Sequence, residues 1–123
     1  MTLAPNRDVE PIVWSGCYDA GWKGLIVDAA FSHPAKMSRN LVVRIFDELF
    51  AIGAIRKGDL VLDPFAGIGT TGIESAARCC RFVGVELEPK FIGLARQNFE
   101  LHRRDWDAMG RPQPVILQGV TIP

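Results

Sequence analysis

The 123-residue chain carries no excess charge of either sign: 14 lysines and arginines meet 14 aspartates and glutamates, for a formal net charge of zero. A domain that binds nucleic acid by itself usually shows a basic excess, so the total charge announces no such partner. His102-Arg103-Arg104 is the nearest thing to a basic cluster, and a run of that size ordinarily forms a solvated helix face. Cysteine is scarce as well. Cys17, Cys79 and Cys80 are an odd number, and a bridge between the adjacent two is strained. No Cys-x-x-Cys or Cys/His spacing offers a metal site, and this cysteine usage leads us to expect a reduced, cytoplasmic protein. No segment reaches membrane-spanning length. The N-terminus places Asp8, Glu10 and two prolines where a signal peptide needs an apolar run, so no membrane partner is expected. Internal repeats and low-complexity segments are absent. With 48% apolar residues, the length suits one small domain with a modest core.

What is present is an alternation of elements. Residues 1–30 read as an irregular segment, with a short strand or turn at Leu25-Ile26-Val27. His33-Pro34 interrupts regular structure, because the residue before proline is pushed to extended geometry. Ser38 then suits a helix N-cap. Leu41, Val42, Ile45, Phe46, Leu49 and Phe50 give the paired i, i+4 spacing of one apolar helix face, and Gly53 suits its end. Leu60-Val61-Leu62 is a short apolar run between turn signals, as in a strand buried on both faces. After a glycine loop, Thr71-Gly72-Ile73-Glu74 fits a capping box, which starts a helix at about Thr70 and ends it near Cys80. Residues 81–86 form a second strand. Pro89 opens another helix, with Phe91, Leu94, Ala95, Asn98, Phe99 and His102 on one face. Residues 105–114 read as a loop, and Val115-Ile116-Leu117 as a third strand. A helix followed by β-α-β-α-β implies an α/β fold, part of a Rossmann-like doubly wound parallel sheet.

The glycine loop carries the chemistry. Gly67-Ile68-Gly69-Thr70-Thr71-Gly72 is a complete G-x-G-x-x-G between a strand and a helix, and Glu86 follows Gly67 by 19 residues. An acid about 20 positions on suits the hydroxyls of a ribose. The plain alternative is a glycine-rich tight turn with no ligand. A dinucleotide meets a difficulty in Asp63, which stands at the strand end. A pyrophosphate there would rest on the positive end of a helix, and a carboxylate beside it opposes that. The same carboxylate suits a cationic ligand such as S-adenosylmethionine, which has an ammonium, a sulfonium and a ribose but no phosphate. Asp63 also has a plainer role as a cap or turn former after the strand, and the two roles are compatible. No G-K-[ST] is present, which excludes a Walker loop.

Residues 61–100, from "VLDPFAGIGTTGIE" through "FVGVELEPKF", closely resemble the cofactor region of the DNA amino-methyltransferases, which make N6-methyladenine or N4-methylcytosine. The pattern is carried by Asp63, Pro64, Phe65, Gly67, Gly69, Thr70 and Thr71, then by Gly84, Glu86 and Leu87. "FSHPAKMSRNLVVRIF" resembles the segment that precedes the first strand in that family. The resemblance runs from about Phe31 to Gly119 and implies a methyltransferase domain over 31–123. It implies that Asp63 faces the ammonium of S-adenosylmethionine and that Pro64, Phe65, Ala66, Gly67, Gly69, Thr70 and Thr71 pass close to it. Glu86 would take the ribose hydroxyls and Leu87 would pack on adenine. His33, Pro34, Ala35, Lys36 and Ser38 would line the methionine tail, with Lys36 near its carboxylate. DNA is the implied partner, with adenine favoured as target, in an enzyme of phage or restriction-modification type.

Two family features are missing. The amine-orienting Asp/Asn/Ser-Pro-Pro-aromatic motif does not occur, since none of the eight prolines is followed by another. Catalytic residues are therefore assigned to none of these positions. "VILQG" resembles the third strand, but Val120 stands where the family carries an acid. The sequence thus reads as a domain truncated after the third strand, with an open apolar edge that invites association. Three functions follow. One is the cofactor-binding part of a DNA methyltransferase. Another is a non-catalytic cofactor-binding module acting with a complementing chain or as a homo-oligomer. The third is an NAD-dependent oxidoreductase.

Overall fold

The computed structural model describes residues 11–17, 21–32 and 36–120. A 3-10 helix at Asp28–Ser32 precedes α1 (Arg39–Ala51), β1 (Leu60–Asp63), α2 (Thr70–Ala77), β2 (Arg81–Glu86), α3 (Pro89–Ala108) and β3 (Val115–Gln118). The expected order of elements is present. The sheet is wholly parallel, in the order β1-β2-β3, and a helix joins each neighbouring pair as parallel strands require.

Local chemistry explains where α1 and α3 begin. The Ser38 hydroxyl accepts the Leu41 N–H at 3.3 Å and donates to the Cys17 carbonyl, so Ser38 caps α1 as expected. Val42 and Phe46 are its buried face. Pro89 occupies the first turn of α3, where its missing N–H costs nothing. This helix runs to Ala108, past the point where the sequence reads as loop. Trp106 is the reason: it is buried, packs beside Phe99 and stacks on His102 with centroids 5.1 Å apart. Burial of one indole outweighs the polar composition around it.

Helix α2 starts at Thr70, but the capping box does not form. Its N-cap is Gly69 at φ 84°, with no side-chain cap. Glu74 turns instead into the seam with α1, only 2% exposed, where Arg39 Nε and Arg78 Nη1 each donate to it at 2.6 Å. A buried carboxylate needs charged partners, and two guanidinium groups satisfy it better than one amide of its own helix. The helix ends at Ala77, short of Cys80, and the chain reverses through Cys79 at φ 57°. Leu25 to Val27 form no strand. The Leu25 N–H closes a turn on the Trp22 carbonyl, and Trp22, Ile26 and Ala30 join Phe46, Ile73, Phe82, Phe99 and Ile116 in the core.

The sheet has one covered face. Phe82, Gly84 and Ile116 share that face by register and are buried against α2 and α3. Leu60, Leu62, Val115 and Leu117 point the other way and are exposed. The expectation that β1 is buried on both faces is thus corrected: Leu62 is 64% exposed, because no helix among the described residues covers that side.

Candidate functional site

Asp63 ends β1 and Glu86 ends β2. Asp63 is in register with Gly84, and Glu86 lies two residues beyond Gly84 on the same face. The two carboxylates therefore stand at the carboxyl ends of neighbouring strands, the end at which open α/β sheets bind ligands. Each spends one oxygen locally. Asp63 Oδ1 accepts the Phe65 N–H at 3.0 Å, and Glu86 Oε2 accepts the Leu87 N–H at 3.1 Å. The other oxygen of each has no hydrogen-bond partner among the described residues. Asp63 is thus a turn former that keeps an acceptor free.

The loop between them lies down on β2. The Ala66 N–H donates to the Val85 carbonyl at 3.0 Å, and the Gly69 N–H to the Ala66 carbonyl at 2.9 Å. Gly84 permits this approach, since a Cβ there would sit 2.7 Å from the Cβ of Ala66. The three glycines of the motif differ in purpose. A Cβ on Gly69 would meet the Phe99 ring at 2.7 Å, and one on Gly72 would meet Phe82 and Phe99 at 2.9 Å. These two let the helix pack. Gly67, at φ 55°, faces open space with nothing within 4 Å of a Cβ. Its N–H and that of Ile68 have no backbone acceptor among the described residues.

Lys36, Asp63, Phe65, Ala66, Gly67, Thr70 and Thr71 line one pocket of about 90 Å³, joined by Met37, which the sequence did not single out. Lys36 Nζ also donates to the Phe31 carbonyl at 2.8 Å. The pocket therefore combines a cation, the amino end of α2 and a carboxylate. Pro64 is exposed between Asp63 and the 87%-exposed Phe65. Glu86 and Leu87 lie outside this pocket, at the tip of β2, and Leu87 lies against Gly119, whose Cβ would meet it at 2.9 Å. Ser38 is engaged in capping α1. His33, Pro34 and Ala35 fall outside the described residues.

Two further residues shape the site. Asn98 and Glu74 are buried polar side chains that hold the loop and the α1–α2 seam. A polar residue at a core position of an amphipathic helix was the available signal for Asn98. Elsewhere, burial first and the Asp59 carboxylate second push the Cys80 thiol up, which keeps it protonated and unreactive. Cys17, Cys79 and Cys80 are all free thiols. Arg103 pairs with Glu100 at 3.3 Å on an exposed face, as a solvated charge run does. No helix among the described residues is long and apolar enough to cross a membrane.

A family model described as DNA methylase, of the N6/N4 type, matches residues 7–97. The chain is 34% identical over 71 residues to the type II methyltransferase M2.DpnII of Streptococcus pneumoniae, covering 58% of this chain and 25% of that protein. It is 34% identical over 79 residues to the DNA adenine methyltransferase YhdJ of Escherichia coli, covering 63% of this chain and 25% of that protein. With the type II methyltransferase M.BglI of Bacillus subtilis it shares 47% identity over 45 residues, 37% of this chain and 13% of that one. The matched part thus spans a quarter or less of these relatives. Fold, loop and similarity agree: the chain belongs to the family of DNA amino-methyltransferases that modify adenine N6 or cytosine N4.

Proposed function

We propose that the chain binds S-adenosylmethionine across the carboxyl ends of β1 and β2 and supplies the cofactor half of a site that methylates an exocyclic amine in DNA. The observation that carries this is the mixed charge of the pocket beside Gly67: Lys36 and the amino end of α2 face the side of Asp63. A zwitterion fits that set, its carboxylate toward Lys36 and the helix end, its ammonium toward the free Asp63 oxygen. A pyrophosphate would meet Asp63 as a like charge. At about 90 Å³ the pocket is well below the roughly 300 Å³ of a whole-ligand site, so it holds one end of the cofactor. The remainder crosses the open space at Gly67 to Glu86, whose free oxygen accepts ribose hydroxyls, with Leu87 against adenine. For His33, Pro34 and Ala35 the family resemblance alone supports a role at the methionine end, and Ser38 fixes where α1 begins.

Bound S-adenosylmethionine supplies an electrophilic methyl group on a sulfonium, which an amine attacks directly. The chain's own residues bind and orient that donor. None of the 123 residues forms the Pro-Pro motif that would orient the amine, so we assign that step to another polypeptide segment. The edge of β1, which pairs with no further strand among the described residues, and the exposed aliphatic face beside it support such a complement. Adenine is the preferred target, a reading supported by the relative named as a DNA adenine methyltransferase.

Calorimetry on the purified chain with S-adenosylmethionine and with NAD tests the ligand. Binding of S-adenosylmethionine alone is expected, and binding of NAD alone would overturn the reading. Glu86→Ala should cost about 1.5–3 kcal/mol of cofactor affinity, the worth of hydrogen bonds to a charged group. Unchanged affinity would remove Glu86 from the ribose site.

A further inference from the structure

Asn98 sits on the core side of α3 with no exposed surface. A buried carboxamide is costly unless its polar atoms are satisfied, and here both ends are used. Its Oδ1 accepts the Val27 N–H at 2.8 Å, and its Nδ2 donates to the Ile68 carbonyl at 2.9 Å. Only one orientation of the amide works, because Val27 offers a donor and Ile68 an acceptor. Ile68 lies between Gly67 and Gly69, at φ 55° and 84°, two left-handed residues that leave the loop little stiffness of its own. Val27 belongs to the segment that leads to Lys36 and Met37 in the pocket wall. One turn further along the same helix face, His102 Nε2 lies 2.6 Å from the Leu25 carbonyl, a second clamp on that segment.

We propose that Asn98 is the positioning residue of the glycine loop: its one carboxamide fixes the loop to α3 and to the N-terminal segment, so it sets ligand affinity without touching the ligand. The affinity part rests on the cofactor reading above, and the loop part does not. Asn98→Asp keeps the shape and the acceptor for Val27 but removes the donor to Ile68. Asn98→Leu removes both bonds. The control is Ile116→Val, a buried change on β3 outside the site.

In the ligand-free chain, amide exchange at Ala66 and Gly69 should accelerate at least tenfold in Asn98→Asp, relative to the amides of the β2–β3 ladder. Affinity for S-adenosylmethionine should fall at least tenfold with the far-UV spectrum unchanged. Ile116→Val should do neither. Exchange at Ala66 and Gly69 that rises only in step with the ladder would make Asn98 a stabilising core residue and overturn the proposal. Should both variants fail to fold, the wild-type chain decides. The Asn98 side-chain amide must then exchange together with Gly69, and exchange together with the ladder refutes the coupling. A wild-type chain that ignores S-adenosylmethionine while Gly69 responds to Asn98→Asp would sink the cofactor reading and leave the positioning role standing.

Discussion

The two faces of the sheet are built from the same kinds of residue and meet opposite fates. On the covered face Phe82 and Ile116 are buried under α2 and α3, and Gly84 admits the loop. On the other, Leu60, Leu62, Val115 and Leu117 are about half exposed or more. Parallel strands are ordinarily buried on both faces, and their apolar runs are written for two covers. The strand sequences therefore record how many covers the sheet is made for, and the helices decide which face receives one here. The covered face also receives the glycine loop. Gly69 and Gly72 are glycines because Phe99 and Phe82 fill the space beside them, whereas Gly67 is glycine for its backbone angle and faces open space. One face packs the glycine loop against the helices, and the other leaves aliphatic side chains exposed.

The sharpest break of this comparison is at Phe82. It is 2% exposed and meets Phe99 edge to face, with centroids 6.4 Å apart. Phe82→Ala should cost about 3–5 kcal/mol, read from denaturant unfolding. A loss below about 1 kcal/mol would mean that the covered face is not the core. The glycines come next and separate packing from ligand access. Gly69→Ala places a Cβ 2.7 Å from the Phe99 ring in a left-handed backbone, so overpacking and strain together should cost about 2–4 kcal/mol. Gly67→Ala meets no neighbour and should cost only the strain, about 1–2 kcal/mol. Its larger effect should be on S-adenosylmethionine affinity, because in the proposed binding mode the added methyl group would stand in the ligand's path. Equal losses of stability at the two positions would contradict the division of roles.

The parts of this picture that were legible in the sequence are those whose chemistry is local. The run from Leu60 to Glu86 shows a strand, a turn-forming aspartate, left-handed glycines and a second strand within 27 residues. Asp63, Phe65, Ala66, Gly67, Thr70 and Thr71 line one pocket, while Pro64 and Gly69 lie outside its lining. What escaped depends on distant partners. Glu74 reads as a capping-box residue until Arg39, 35 positions earlier, takes it into the α1–α2 seam. Asn98 looks like one polar residue on an apolar helix face, and its partners lie 71 and 30 positions away. The early segment reads as irregular because its glycines mark turns, yet Trp22 is 1% exposed and its indole N–H donates to the Met37 carbonyl at 2.8 Å. Turn chemistry says how the chain bends there and nothing of what the bend packs against. The open face escaped for the same reason: Leu60-Val61-Leu62 encodes two apolar sides, and the cover for one of them lies outside any local rule.

The smallest expected effect on folding concerns that open face. Leu62, Val85 and Leu117 lie on the uncovered side by strand alternation, with Leu62 and Leu117 exposed and Val85 half-buried. Replacing all three with threonine keeps strand-forming residues and removes apolar surface that is largely in water already. Each change should move stability by no more than about 0.5 kcal/mol, as surface substitutions do. Sedimentation should respond far more. The unchanged chain should self-associate, or bind a complementing segment, through a contiguous aliphatic patch, and the triple variant should run as a monomer over the same concentrations. A loss of several kcal/mol in the variant would show that the face is packed against something within the chain. A wild-type chain that is monomeric and fully soluble at high concentration would show that the patch needs no cover, and the contrast between the two faces would lose its functional meaning.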